Sequence, residues 1–197
     1  EPLRRTALRS GRNLEPMRRL LDVLLTTDPA QRVRLSQAVM AMVMMSAGVV
    51  TMHWFVWVGI APAWPVALWT VAAVGGMAVA YAAIRSGWSR RLEDPSLTVP
   101  QMVYAVTCGA AAYALLGPGR GGVFPIVMVI LMFGMFIATP RQMRAVSLYA
   151  VLLFGLTMLL LATLQPVQYP LSVEIGHFLM VATMMPAVSL LAERLAT

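Results

Sequence analysis

The chain has two histidines, His53 and His177, each set in an apolar stretch. His177 stands in Val-Glu-Ile-Gly-His-Phe-Leu (173–179), three residues after Glu174 and therefore on the same helix face. His53 is followed by Trp54 and Phe55. Imidazoles at matched depth in two antiparallel helices support three chemistries. Both could ligate a b-type haem as axial ligands, with Trp54, Phe55, Phe178, Gly48 and Gly176 making room for a flat macrocycle. His53, His177 and Glu174 could hold a single Zn or Cu ion, with Met52 and Met180 as soft ligands nearby. Alternatively, the same residues bind a quinone or a lipid headgroup, or sense external pH. Glu174, Trp54 and Arg120 are the candidate ligand contacts. The competing structural account makes the histidines hydrogen-bonded groups that tie helices together.

These residues must be positioned by membrane helices. Apolar residues make up 59% of the chain and charged residues 12%, about half the charge of a soluble domain. From Leu35 to Ile84 there is no Asp, Glu, Lys or Arg. A span needs about 20 residues, so this stretch holds two, divided at Gly59-Ile-Ala-Pro-Ala-Trp-Pro65. The expected spans are 35–58, 65–84, 100–116, 123–138, 145–164 and 171–192. The fold class is an all-α, six-helix transmembrane bundle. Before it, residues 1–34 form a cytoplasmic segment in which Leu14, Met17, Leu20, Leu21, Leu24 and Leu25 recur at helical spacing among arginines. That pattern predicts an amphipathic helix on anionic headgroups, stopped near Asp28-Pro29. Residues 193–197 begin a cytoplasmic helix.

All 15 basic residues are arginine. Placed on the six spans, every one but Arg120 falls on the face that carries both termini. The positive-inside rule makes that face cytoplasmic. The net charge of +7 is thus a topology signal, and nucleic acid is not an expected partner. His53 and His177 then lie on the outer side, each about 9 Å below the boundary at 1.5 Å per residue. Mid-membrane ionisable residues, which pumps and channels use, are sparse. Paired carboxylates, a nucleophile–base set and a phosphate-cradling loop are also missing, so no catalytic residue is assigned. Cys108 reads as a buried, inert thiol. Pro186 reads as a bend or hinge in the last span.

Arg-Ser-Gly-Trp-Ser-Arg-Arg-Leu-Glu-Asp-Pro-Ser-Leu-Thr-Val-Pro-Gln (85–101), Phe-Gly-Met-Phe and Thr-Pro-Arg-Gln within 133–142, and Val-Glu-Ile-Gly-His-Phe-Leu (173–179) resemble the six-span N-terminal sensor regions of bacterial diguanylate cyclases. The likeness covers about residues 14–197. It implies a membrane sensor and anchor, acting as a homodimer, whose last span continues into a cytoplasmic GGDEF domain that makes cyclic di-GMP from GTP. No GGDEF motif stands in this chain, which begins with Glu1, so it is expected to be part of a longer protein. The alternative function is a haem-binding electron-transfer or transport protein.

Overall fold

The structure, a computed structural model, describes residues 28–135 and 137–196. Among these residues all regular secondary structure is helical, with no strand. In chain order the helices are α1 (Pro29–Trp57), α2 (Ala63–Arg85), α3 (Thr98–Leu115), α4 (Val123–Met135), α5 (Pro140–Leu164) and α6 (Leu171–Ala196). Short 3-10 turns, Trp88–Arg91 and Gly117–Gly122, precede α3 and α4.

Local chemistry explains the boundaries. Asp28 caps α1 by accepting the Ala30 N–H at 3.1 Å, and Pro29 follows in the first helical position. α1 therefore starts six residues before the expected span, inside the stretch assigned to the N-terminal segment. The amphipathic helix expected there falls on residues outside the described set. Thr139 and Gln142 form a capping box at the start of α5, again with proline just inside. α6 runs as one helix through Pro186.

Among the described residues, five segments are long and apolar enough to cross a membrane: α1, α2, Gly117–Gly134, α5 and Leu171–Leu191 of α6. The expected fourth span thus begins earlier, at the 3-10 turn. α3, the expected third span, is not among the five. It carries Thr98, Gln101, Tyr104, Thr107 and Tyr113, which lower its hydropathy. It tolerates them because it is the central helix, packed against α2, α4 and α5. Its polar groups are paired: Tyr104 donates to the Ala72 carbonyl at 2.5 Å, and Thr107 bonds Tyr149 at 2.8 Å. Ala105, Cys108, Ala110 and Ala112 are buried, and such small residues let neighbouring helices approach closely. Cys108 is a free, buried thiol, and its carbonyl accepts the Trp69 indole N–H at 2.9 Å.

α1 packs on α2, while α6 packs on α5 and α4. Two sets of contacts define the ends of the bundle. At one end Gln31 of α1 bonds the carbonyls of Ile84 and Arg85, and Ser147 of α5 bonds Ser189 of α6. At the other, the Gly117–Gly122 turn sits between Phe55 of α1 and His177 of α6.

Candidate functional site

A buried polar cluster lies at that second end, built by the C-terminus of α3, the Gly117–Gly122 turn and the first two turns of α6. Arg120 donates from Nε to Glu174 Oε1 at 2.9 Å and from a terminal nitrogen to the same oxygen at 2.7 Å. Its other terminal nitrogen donates to the Gly117 carbonyl at 2.7 Å. The guanidinium lies over the Tyr169 ring, 4.9 Å from its centroid, and the Tyr169 hydroxyl donates to the Ala114 carbonyl at 2.7 Å. Arg120 is 5% exposed and Glu174 2%. Burial pushes the Tyr169 hydroxyl pKa up from its usual 10.0, against the opposing pull of Arg120.

The second carboxylate oxygen is also taken. Tyr113 donates to Glu174 Oε2 at 2.5 Å, and the same hydroxyl lies 2.7 Å from Nδ1 of His177. A tyrosine hydroxyl carries one hydrogen. Spending it on Glu174 leaves only an acceptor toward the imidazole, so Nδ1 must carry the N–H. Nε2 of neutral His177 then presents its lone pair away from the cluster. The ring is held edge-on by Tyr113 and Phe124, with centroids at 5.8 and 5.2 Å. Arg120, Glu174, Tyr113 and His177 thus form a chain of hydrogen bonds ending in one basic nitrogen.

The glycine-rich turn makes this chain geometrically accessible. Gly117 adopts φ +47°, which side chains disfavour, and its carbonyl turns toward Arg120. A Cβ at Gly119 would stand 2.6 Å from Phe55 Cε1. The turn can therefore press against α1 and aim Arg120 inward.

The sequence-derived candidates are divided by the structure. Glu174, His177 and Arg120 come together. His53 is exposed on α1, off the buried stripe of Met45, Gly48 and Met52. Trp54 is 57% exposed and contacts Trp57 with centroids 4.8 Å apart. A group shared by His53 and His177 would require the first and last helices to lie side by side, whereas α6 packs on α5 and α4. The residues consequently do not fit a haem between His53 and His177. They also do not fit a metal held by those two and Glu174, because both Glu174 oxygens are engaged. Among the described residues no group of three or more His, Cys, Asp or Glu side chains converges. Sequence reasoning misses Tyr113, Tyr169 and Phe124. The one available signal is the presence of polar aromatics in segments otherwise suited to lipid.

Comparison of the chain with protein-family models finds no match, and neither the curated proteins nor the solved structures provide one.

Proposed function

We propose that this chain is a membrane sensor and anchor whose input is the Arg120–Glu174–Tyr113–His177 cluster and whose output is the far end of α6. On this reading α3 is a sixth span, enclosed by the others, and both termini lie on the cytoplasmic face of a bacterial inner membrane. The observation that carries the proposal is the layout of α6. One helix holds Glu174 and His177 in its first two turns and, at its other end, Ser189 against Ser147 and then Arg194 in its last turn. A proton or ligand arriving at His177 Nε2 alters the hydrogen bonds that dock the start of α6, and the helix carries the change to its cytoplasmic end. By the resemblance to cyclase sensor regions, the regulated domain is a diguanylate cyclase, active as a homodimer.

The test is cyclic di-GMP output of the full-length protein in membranes. His177→Ala and Tyr113→Phe should change output at least several-fold with normal membrane insertion, whereas Leu179→Ala, on the exposed face of α6, should not. Equal output from all three would overturn the input assignment. The alternative of a haem-bearing electron-transfer bundle lacks a converging histidine pair, and a Soret band in the purified protein would restore it.

A further inference from the structure

The exposed residues of α3 form one stripe. Pro100, Thr107 and Ala111 are exposed, with half-buried Tyr104 between them, and their spacing puts all four on one helix face. The stripe opens between α2 and α5, which flank α3 and do not pack along each other. From α5 the Tyr149 hydroxyl meets that of Thr107 at 2.8 Å, and on the α2 side the Ala72 carbonyl accepts the Tyr104 hydroxyl.

These groups share one depth. Thr107 is nine residues from the start of α3 and Tyr149 nine from the start of α5, and both helices start at the Gln31 end of the bundle. At 1.5 Å per residue that is about 14 Å, the middle of a hydrocarbon core about 30 Å thick. Gly75 of α2 lies ten residues before Arg85, the last residue of that helix at the same end, and so at about 15 Å. It is exposed, and beyond its own helix no atom lies within 4 Å of the place a Cβ would take. Such a position admits the close approach of another helix. Lipid tails offer no hydrogen-bonding partner at this level. The Thr107 hydroxyl donates to the Val103 carbonyl at 2.8 Å, so the hydrogen it shares with Tyr149 comes from Tyr149. Among the described residues nothing donates to the Tyr149 oxygen.

We propose that two copies of this chain associate through this window, about a twofold axis parallel to the membrane normal. Copies inserted the same way round meet at equal depth, so each Thr107–Tyr149 pair faces its own duplicate. Thr107 then turns its hydrogen from the Val103 carbonyl, which keeps its backbone donor in the helix, to the partner's Tyr149. The four hydroxyls close a ring in which each donates once and accepts once, and Gly75 lets the two bundles come close. A lipid tail matches none of these groups, whereas a second copy supplies all of them at the required level. The interface rests on α3 being a span, as proposed above, and does not depend on the role of the His177 cluster.

Cys108 is the only cysteine, so Cys108→Ala gives a background for single cysteines. Ala111→Cys places one in the window, and Val43→Cys places one on the exposed face of α1. In phosphatidylcholine vesicles at high lipid dilution, copper-phenanthroline oxidation should link the Ala111→Cys chains several-fold faster than the Val43→Cys chains. Association is then followed by energy transfer between full chains labelled at the C-terminus, as lipid is added. Thr107→Val should weaken it about tenfold, and Thr107→Ser, which keeps the hydroxyl, should restore it. Gly75→Leu should weaken it at least as much, although its side chain enters open space in a single copy. Equal linking at the two cysteine positions would overturn the interface and leave the span intact. So would association unchanged by Gly75→Leu, a comparison that holds even if the Thr107 variants fail to fold. Reaction of the Ala111→Cys thiol with a water-soluble maleimide in intact vesicles would take α3 out of the membrane and overturn the span and the interface together.

Discussion

Arg120 and Glu174 are 54 residues apart in sequence and meet at 2.9 and 2.7 Å with almost no exposed surface. Desolvating two charges is expensive, and such a pair contributes little compared with well-packed apolar residues. Removing one partner alone, however, leaves an uncompensated buried charge at a cost of about 3–5 kcal/mol. Arg120→Met and Glu174→Leu should each destabilise by that order in detergent unfolding. The double variant should be more stable than either. Additive losses would show that the two groups act independently.

Tyr113 fixes the imidazole tautomer. Its hydrogen goes to Glu174 Oε2, so His177 in the wild type should give the Nδ1–H pattern in ¹⁵N NMR. Tyr113→Phe should release that preference and leave a buried carboxylate oxygen without its donor, costing about 1–3 kcal/mol. An Nε2–H tautomer in the wild type would refute the proton assignment.

The helices are legible in the sequence because their composition and length admit little else, and Pro140, Pro62 and the Gly59 region punctuate them. Boundaries are less so: Asp28-Pro29, which reads as the stop of an N-terminal helix, is the cap of α1. Lateral order is not legible. In a bundle whose lipid face is as apolar as its core, periodicity does not tell which side of α1 is packed, and His53 lies on the exposed side. Glu174, His177 and Arg120 stand out as chemically unusual. Their partner Tyr113 does not, because the bond joins residues 61 apart across helices whose adjacency the sequence does not encode.

Gly119 is a steric requirement. A Cβ there would approach Phe55 Cε1 to 2.6 Å, so Gly119→Ala should cost about 1–3 kcal/mol. Phe55→Leu in the same background should recover part of it by freeing that space. Full stability of the single variant, measured by thermal unfolding, would contradict the close approach.

Tyr169 makes alkaline stability a readout of the same region. Its folded pKa is raised above 10.0 by burial. The unfolded chain therefore loses this proton first, and the stabilisation, complete below pH 10, disappears as pH rises through the folded value. Tyr169→Phe should be weaker at pH 8 for loss of the Ala114 hydrogen bond and should lose less further stability above pH 10 than the wild type. Parallel curves would remove Tyr169 from the titration.

Gln31 holds the opposite end of the bundle. Its Nε2 donates to the carbonyls of Ile84 at 2.8 Å and Arg85 at 3.0 Å, the last residues of α2, and its Oε1 accepts from Arg90 at 2.6 Å. Helix ends leave carbonyls without intrahelical donors, and Gln31, 8% exposed, supplies them. Gln31→Leu should cost about 1–3 kcal/mol by removing this buried amide bridge between α1 and the end of α2, although the Ile84 carbonyl still accepts the Gly87 N–H at 3.1 Å. Arg90 also pairs with Asp28 at 2.7 Å, but both side chains are substantially exposed, so losing that ion pair through Asp28→Ala should cost about 0–1 kcal/mol, apart from the Ala30 cap. Hydrogen exchange separates the two effects. Gln31→Leu should accelerate exchange at the end of α2 and in the Trp88–Arg91 turn, whereas Asp28→Ala should act mainly on the first turn of α1. Equal acceleration of α2 by both variants would mean that the ion pair, and not the glutamine, joins these helices.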